Sequence, residues 1–309
     1  MITKIRTKSH EEWLALRHKY IGGSDAAAVI GLNPFMSRYA LWAEKTGRMP
    51  TFEGNLATDV GTYLEEFIAK RFEQETGKKV RRENASILND EYPFAIANVD
   101  RVIVGEDAGL EIKSTSSLAL SKFKNGEYPA RFYCQCVHYL AVTGKKRWYL
   151  AVLIGNTEFK VFTIERDEAE IAELMRNERE FWEVHVLADV APEVDSQEST
   201  SKAIGAVFPT ADEDDEIDLT ILNEEIDELL EVKKQIKILD GLKTKLENKI
   251  KAEMKDSSRG SSAQAFFSWS NSERRSFDEN RFRIAYPNID LDQFYKVSQS
   301  RTFRIKERI

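Results

Sequence analysis

A polar turn, residues 105–109, separates two short runs of alternating small and apolar residues, 94–104 and 109–114. Read as strands, the runs pair as an antiparallel hairpin. A hairpin embedded among helical segments directs the chain toward an α/β architecture. Asp100 lies in the first run, and Glu111, Ile112 and Lys113 lie in the second. Side chains alternate faces along a strand, so Glu111 and Lys113 project together while Ile112 enters the core. With Asp100 on the same side, two carboxylates and an ammonium converge on one patch. Such a patch suits a hard divalent cation, with a lysine beside the water that attacks a phosphodiester. The plainer reading is a solvated strand face, common in a chain that is 31% charged.

The surrounding pattern extends the α/β reading over residues 1–190. Ser9 with Glu12 three positions on resembles a capping box that opens a helix through Trp13, Leu14 and Leu16. Short helices are expected over 26–30 and 37–47. From 58 to 75 the apolar positions Val60, Leu64, Phe67, Ile68 and Phe72 recur at helical spacing, with Gly77 as the stop. A helix over 132–142 ends at Gly144. Strands over 147–154 and 158–164 form a hairpin about Gly155 and Asn156. Asp167 caps a last helix running to about 187. Residues 191–217, with Pro192, Pro209 and the acidic run 212–216, read as a linker. A long helix over 218–256 carries apolar residues about every 3.5 positions, the coiled-coil period. Residues 257–309 read as a small basic and aromatic α+β tail: strand 263–271, helix 278–286, strand 302–306. Its arginines and aromatic rings suit either a DNA strand or the surface of a small packed subdomain.

Composition narrows the class. A chain of 309 residues with 42% hydrophobic content buries a full core. The net charge of -7 argues against indiscriminate polyanion binding but leaves room for a local basic groove. No apolar run reaches the ~20 residues of a membrane helix, and the opening residues lack a signal-peptide core. Cys134 and Cys136 point to different sides of one helix, which fits a reducing compartment. Two cysteines and four scattered histidines give no zinc spacing. The expected location is the cytoplasm.

Three further stretches bear on the acid patch. Glu65 lies mid-helix, either as a third acid aimed at the hairpin or as an ion-pair partner near Glu66; Gly61 one turn earlier permits a close approach. Gln135, on a core-facing helix side, needs a partner for its amide. That partner is Lys113, an attacking water or the backbone, and His138 one turn on reads as a packed neutral ring. Arg17, Gly22, Gly23 and Ser24 precede a short helix and form a plausible phosphate cradle, although most Gly-Gly turns bind nothing.

The motifs occur in one order: Leu16 and Arg17; Ile21, Gly22, Gly23, Ser24, Asp25 and Ala26; Gly31 to Pro34; Gly61 and Glu65; Asp100; Glu111, Ile112 and Lys113; Gln135; and 139–144 ending in Gly144. Over residues 10–185 this order resembles the YqaJ-type viral recombination nucleases, relatives of the lambda-type phage exonucleases. Residues 263–306 resemble the tail of the longer YqaJ-type proteins. The resemblance implies a PD-(D/E)xK restriction-endonuclease-like core, a central mixed sheet flanked by helices, followed by the long helix and the tail. It implies Asp100, Glu111, the Ile112 carbonyl and Glu65 as ligands of Mg²⁺, with Mn²⁺ able to substitute, and Lys113 as catalytic lysine beside Gln135. It implies Arg17 and Ser24 as the 5′-phosphate site. The family often has a second glutamine two residues after the first, where this chain has Val137.

The activity implied is a Mg²⁺-dependent 5′→3′ exonuclease on double-stranded DNA ends. It would release 5′-mononucleotides and leave 3′ single-stranded tails for a single-strand annealing protein in phage-type recombination. A homotrimer in the bacterial host cytoplasm is implied in the same way. Alternatives are a structure-specific endonuclease using the same site, or a catalytically silent scaffold for the annealing protein.

Overall fold

The computed structural model describes residues 1–52, 54–297 and 301–305. The chain divides into two compact units, Met1–Pro209 and Thr210–Ile309.

The first unit opens with strand β1 (Ile2–Ile5) and helix α1 (His10–His18). Ser9 caps α1, its hydroxyl accepting the Glu12 N–H at 3.2 Å. The Glu12 carboxylate instead accepts the Lys8 N–H at 2.7 Å, so the expected capping box is shifted back by one residue. Strand β2 (Ile21–Gly22) runs into helix α2 (Gly23–Val29), followed by α3 (Arg38–Lys45) and α4 (Leu56–Thr76). α4 ends at Gly77, whose φ of 71° is the left-handed stop that favours glycine. Strands β3 (Val80–Arg82) and β4 (Ser86–Asn89) come next.

The apolar run 94–104 is not one strand. It forms β5 (Ala95–Ala97) and β6 (Arg101–Ile103), which belong to different sheets. The interruption at 98–100 carries Asp100. β7 (Ala108–Thr115), α5 (Ala130–Thr143), β8 (Arg147–Ile154), β9 (Glu158–Glu165) and α6 (Glu168–Glu180) follow, and α6 continues into a π-helical turn over Phe181–Leu187.

A five-stranded mixed sheet, β3-β6-β7-β8-β9, is parallel only between β7 and β8. A four-stranded sheet, β1-β4-β5-β2, lies beside it and has no counterpart in the sequence reading. Its strands are two to four residues long, too short to show a period.

Alternation along β7 assigns its faces. Ala108, Leu110 and Ile112 pack with Ile68 and Phe72 of α4 and with Tyr149 and Ala151 of β8. Burying side chains of this size is worth about 1.5–3 kcal/mol each. Trp148, Leu150 and Val152 point the other way, into the core that contains Leu140 of α5. Gly109 faces Trp148, and a Cβ there would stand 2.3 Å from the indole. Glu111 and Lys113 share that parity, so Ile112 enters the core as expected while its neighbours face away from α4.

The segment 191–217 is not a plain linker. Helix α7 (Glu198–Val207) packs on α3, burying Thr200 and Ala203, and the Ser37 N–H donates to Ser199 Oγ at 3.0 Å. Its three-residue spacing of small side chains escaped notice among the flanking acids and prolines.

The second unit contains helix α8 (Asn223–Met254), a hairpin of β10 (Arg259–Ser261) and β11 (Phe266–Ser268), and helix α9 (Glu279–Ala285). The hairpin replaces the single strand expected over 263–271, and α9 falls where a helix was expected. Residues 302–305 form no strand, and position 306 lies outside the described residues. No helix among the described residues is long and apolar enough to cross a membrane.

Candidate active site

The break between β5 and β6 presents Asp100 to the hairpin. Arg101 pairs with Leu110, so Asp100 follows on opposite Glu111. The Ile112 N–H donates to Asp100 Oδ2 at 2.8 Å, a side chain standing where a ladder carbonyl would otherwise accept. Glu111 is buried, and its Oε1 meets Lys113 Nζ at 2.6 Å. Its Oε2 is buried without a hydrogen-bond partner among the described residues.

The electrostatics follow from this crowding. Burial, and then the charge of Glu111, push the Asp100 carboxyl up to about 7. Burial works to lower the Lys113 pKa, but Glu111 and Asp100 outweigh it and hold Lys113 as an ammonium. Two acids share one fixed cation. A buried carboxylate oxygen with no donor is costly, and a hard cation would relieve it.

Glu65 approaches from α4, on the opposite side of the sheet. Its carboxylate meets Arg101 Nη1 at 3.5 Å, while Arg101 Nη2 reaches Glu66 Oε2 at 3.3 Å. Burial, then the charge of Asp100, raise the Glu65 pKa. Among the described residues no three His, Cys, Asp or Glu side chains converge on one point. Asp100 and Glu111 stand together beside Lys113, while Glu65, which lines the same cleft, is engaged by Arg101. Arg101 was missed. Its signal was a cation inside an apolar strand, where an unpaired charge is untenable. Gly61 lines the cleft, and a Cβ there would lie 3.6 Å from Ser114 Oγ.

The glycine turn builds the other wall. Arg17 stacks over Trp13 at 4.9 Å, and its Nη2 donates to Ser24 Oγ at 3.2 Å. Beneath them Asp25 Oδ2 accepts from Lys45 Nζ at 2.7 Å and from the Gly22 N–H at 3.0 Å. Lys45 also donates to the carbonyls of Arg17 and Tyr20, at 3.1 and 2.8 Å. Burial pushes the Asp25 carboxyl up, but Lys45 and Arg17 outweigh it and hold it below the usual range. Lys45 was also missed, because twenty residues separate it from the turn it supports.

Gln135 and Lys113 line the same cleft, but the hydrogen bond of the Gln135 amide goes elsewhere. Its amide donates to the Tyr139 hydroxyl at 2.9 Å, and that hydroxyl donates to the Asn98 carbonyl at 2.8 Å. Gln135 thereby steadies the segment that presents Asp100. Tyr139 packs so closely on Gly23 that a Cβ there would stand 2.6 Å from the ring. His138 is a buried structural group: its Nε2 faces the Ile96 carbonyl at 3.0 Å and its Nδ1 faces Glu178 at 2.9 Å. Burial works to lower its pKa, yet Glu178 outweighs it and raises it. Arg17, Ser24, Glu65, Asp100, Glu111, Ile112, Lys113 and Gln135 all line one cleft of about 500 Å³.

Residues 12–146 match the YqaJ-like viral recombinase domain. The chain is 38% identical over 311 residues to the uncharacterized protein YqaJ of Bacillus subtilis (strain 168), spanning 99% of this chain and 97% of that one. The chain belongs to the YqaJ-like viral recombinase family. Among solved structures, the alkaline exonuclease LHK-Exo from Laribacter hongkongensis shares its fold, with a TM-score of 0.50 and 24% identity over 58% of this chain and 93% of that one. The structure of LHK-Exo in complex with dAMP matches with the same TM-score and coverage at 25% identity.

Against that family background, the donor set fits a hard divalent cation. Asp100 and Glu111 offer carboxylate oxygens beside the Ile112 main chain, and Oε2 of Glu111 is uncommitted among the described residues. Cys134 and Cys136 are both free and buried, and burial, then the charge of Glu111, push the Cys136 thiol up.

Proposed function

We propose that this YqaJ-family member is a Mg²⁺-dependent deoxyribonuclease that digests duplex DNA from its ends in the 5′→3′ direction. The single observation that supports it most is the buried, unpartnered Oε2 of Glu111 beside Asp100 and Lys113. In this reading the core is of the PD-(D/E)xK type. Asp100 and Glu111, with the Ile112 carbonyl and Glu65, hold Mg²⁺, and Mn²⁺ substitutes. The bound ion supplies positive charge that acidifies water and neutralises the scissile phosphate.

The remaining chemistry belongs to the chain. The Lys113 ammonium offsets charge accumulating on the phosphorane. Arg17 and Ser24 bind the terminal 5′-phosphate through charge-assisted hydrogen bonds. Gln135 acts as a positioning residue through Tyr139. Release of 5′-mononucleotides leaves 3′ single-stranded tails for a single-strand annealing protein. LHK-Exo, a structural relative, has been solved with one such mononucleotide, dAMP. Self-association, as a trimer or through α8 as a coiled coil, completes the proposal. The apolar positions of α8 from Leu229 to Ile250 are exposed, which suits that role.

The deciding experiment is digestion of linear duplex DNA labelled separately at its 5′ and 3′ ends, with a covalently closed circle as control. Early release of the 5′ label in Mg²⁺, with the circle intact, is expected. Early release of the 3′ label overturns the polarity, cutting of the circle overturns the exonuclease, and no release in Mg²⁺ or Mn²⁺ overturns the nuclease.

A further inference from the structure

Helix α8 is 32 residues long, about 48 Å at the helical rise, and from 231 to 250 every residue is exposed. Among the described residues of the second unit, cover is confined to its ends. Ile226 and Leu230 line a pocket with Ile305, and Met254 is half-buried. Along the bare stretch Val232, Ile236, Leu239, Leu242 and Leu246 follow one side of the helix and are 42–61% exposed. A solvated helix with such a stripe has little to hold it, because helices in water draw most of their stability from a packed apolar face.

Spacing and charge together say what completes it. The five residues stand 4, 3, 3 and 4 positions apart, so the stripe reads the same in both directions from Leu239. No single heptad phase runs through it, since 232, 236 and 239 lead to 243, which is a lysine. A line of this kind matches a copy of itself running the opposite way. Charge favours the same orientation. Residues 223–231 hold five acids and no lysine or arginine, whereas 232–254 hold seven lysines and three acids. The helix dipole accounts for acids in the first turn alone, so Asp227, Glu228 and Glu231 need another reason. Two such helices in parallel would oppose acid to acid and lysine to lysine. Antiparallel, each half meets its opposite.

We propose that α8 pairs with α8 of a second copy of this chain as an antiparallel coiled coil, its two-fold axis passing Leu239. Val232 of one copy then meets Leu246 of the other, and Ile236 meets Leu242. Asp227 and Glu228 come level with Lys249 and Lys251. Lys251 also lies 3.8 Å from Glu247 of its own helix, and an ammonium has donors for both. The two chains enter the rod from opposite ends. The inference deepens the self-association proposed above and is independent of the nuclease chemistry.

The test uses the full-length protein. Leu239→Glu sets like charges against each other at the axis and is expected to halve the particle mass in sedimentation equilibrium. Cysteine substitutions read the orientation, with the wild type, whose own two cysteines are buried, as control. Under mild oxidation Leu239→Cys is expected to crosslink to itself. Val232→Cys alone and Leu246→Cys alone are expected to stay uncrosslinked, each about 21 Å from its counterpart along the rod, beyond the reach of a disulfide. Mixed under reducing conditions and then oxidised, those two variants are expected to crosslink to each other. Association is expected to weaken as salt rises and screens the opposed charges. Self-crosslinking of Val232→Cys, or association that strengthens with salt, overturns the antiparallel orientation. A wild-type mass of one chain overturns the pairing, as does a mass that Leu239→Glu leaves unchanged; an unchanged mass of three chains leaves the trimer in its place. Mg²⁺ digestion of duplex DNA by the wild type is followed alongside, and its absence sinks the nuclease reading without touching the pairing.

Discussion

Two clusters of charge, one lining the cleft and one buried beneath the Gly22–Ser24 turn that walls it, are finished to different degrees. Around Asp25 the account closes: Lys45 and the Gly22 N–H serve the carboxylate, and Lys45 spends its other donors on two carbonyls. The result is an acid held below its usual pKa. Around Asp100 and Glu111 it does not close. One ammonium faces two acids, one carboxylate oxygen has no donor, and Asp100 is pushed up to about 7. A satisfied cluster is structural, because nothing is gained by adding to it. An unsatisfied buried cluster carries a cost that a proton or a ligand removes.

The largest expected effect breaks the second cluster. Lys113→Ala should lower the rate of end digestion by about 10²–10⁴-fold while preserving DNA binding in Ca²⁺. Full activity in this variant would assign Lys113 to structure and erase the contrast. Lys45→Met attacks the first cluster. It strands the Asp25 carboxylate and should cost about 3–5 kcal/mol in denaturant unfolding, with or without divalent metal. A loss that appears only with metal present would make the Asp25 cluster part of the ion site.

Gly23→Ala tests the wall that joins the clusters. The added methyl meets the Tyr139 ring, and about 1–3 kcal/mol of stability should be lost. A smaller effect is carried by pH. Asp100 titrates near 7 in the folded chain against 3.8 when exposed, so the folded state holds an extra proton between those values. Stability of the metal-free protein should therefore fall as pH rises through that window and level off above it. Asp100→Asn should remove that fall, on the order of 1–2 kcal/mol after solvent screening. Thermal unfolding in EDTA at pH 5 and pH 8 measures it, and an undiminished fall would place the titration elsewhere. Smallest is Arg17→Ala, expected to slow digestion of 5′-phosphorylated ends about tenfold and of 5′-hydroxyl ends hardly at all. Equal losses on both ends would remove Arg17 from the phosphate.

The contrast between the clusters also marks how far the sequence could be read. Helices α4 and α5 were legible because their apolar positions recur at helical spacing and each ends at a left-handed glycine. The β6–β7 hairpin and the parity of Glu111, Ile112 and Lys113 were legible because strand alternation leaves no other choice. Arg17, Ser24, Glu65, Asp100, Glu111, Ile112, Lys113 and Gln135 stood out by motif order, and all of them line one cleft. The four-stranded sheet was hidden by the brevity of its strands, and α7 by its acidic surroundings. Partners distant in sequence were hidden altogether, Arg101 with Glu65 and Lys45 with Asp25, and the Gln135 amide finds its acceptor one turn along its own helix, at Tyr139.

Sequence alone determined which faces of the strands are apolar, where the principal helices stop and which acids and cations flank the hairpin, since each depends on short-range periodicity and backbone sterics. Only the tertiary structure decided which charges are answered. Asp25 and Glu111 are both buried acids with a lysine at hand, yet Asp25 has Lys45 and the Gly22 N–H on Oδ2 and the Ser24 hydroxyl 3.5 Å from Oδ1, while Glu111 Oε2 has no donor among the described residues. That difference depends on which distant donors the packed core brings within hydrogen-bond reach, a through-space property that spacing along the chain does not encode.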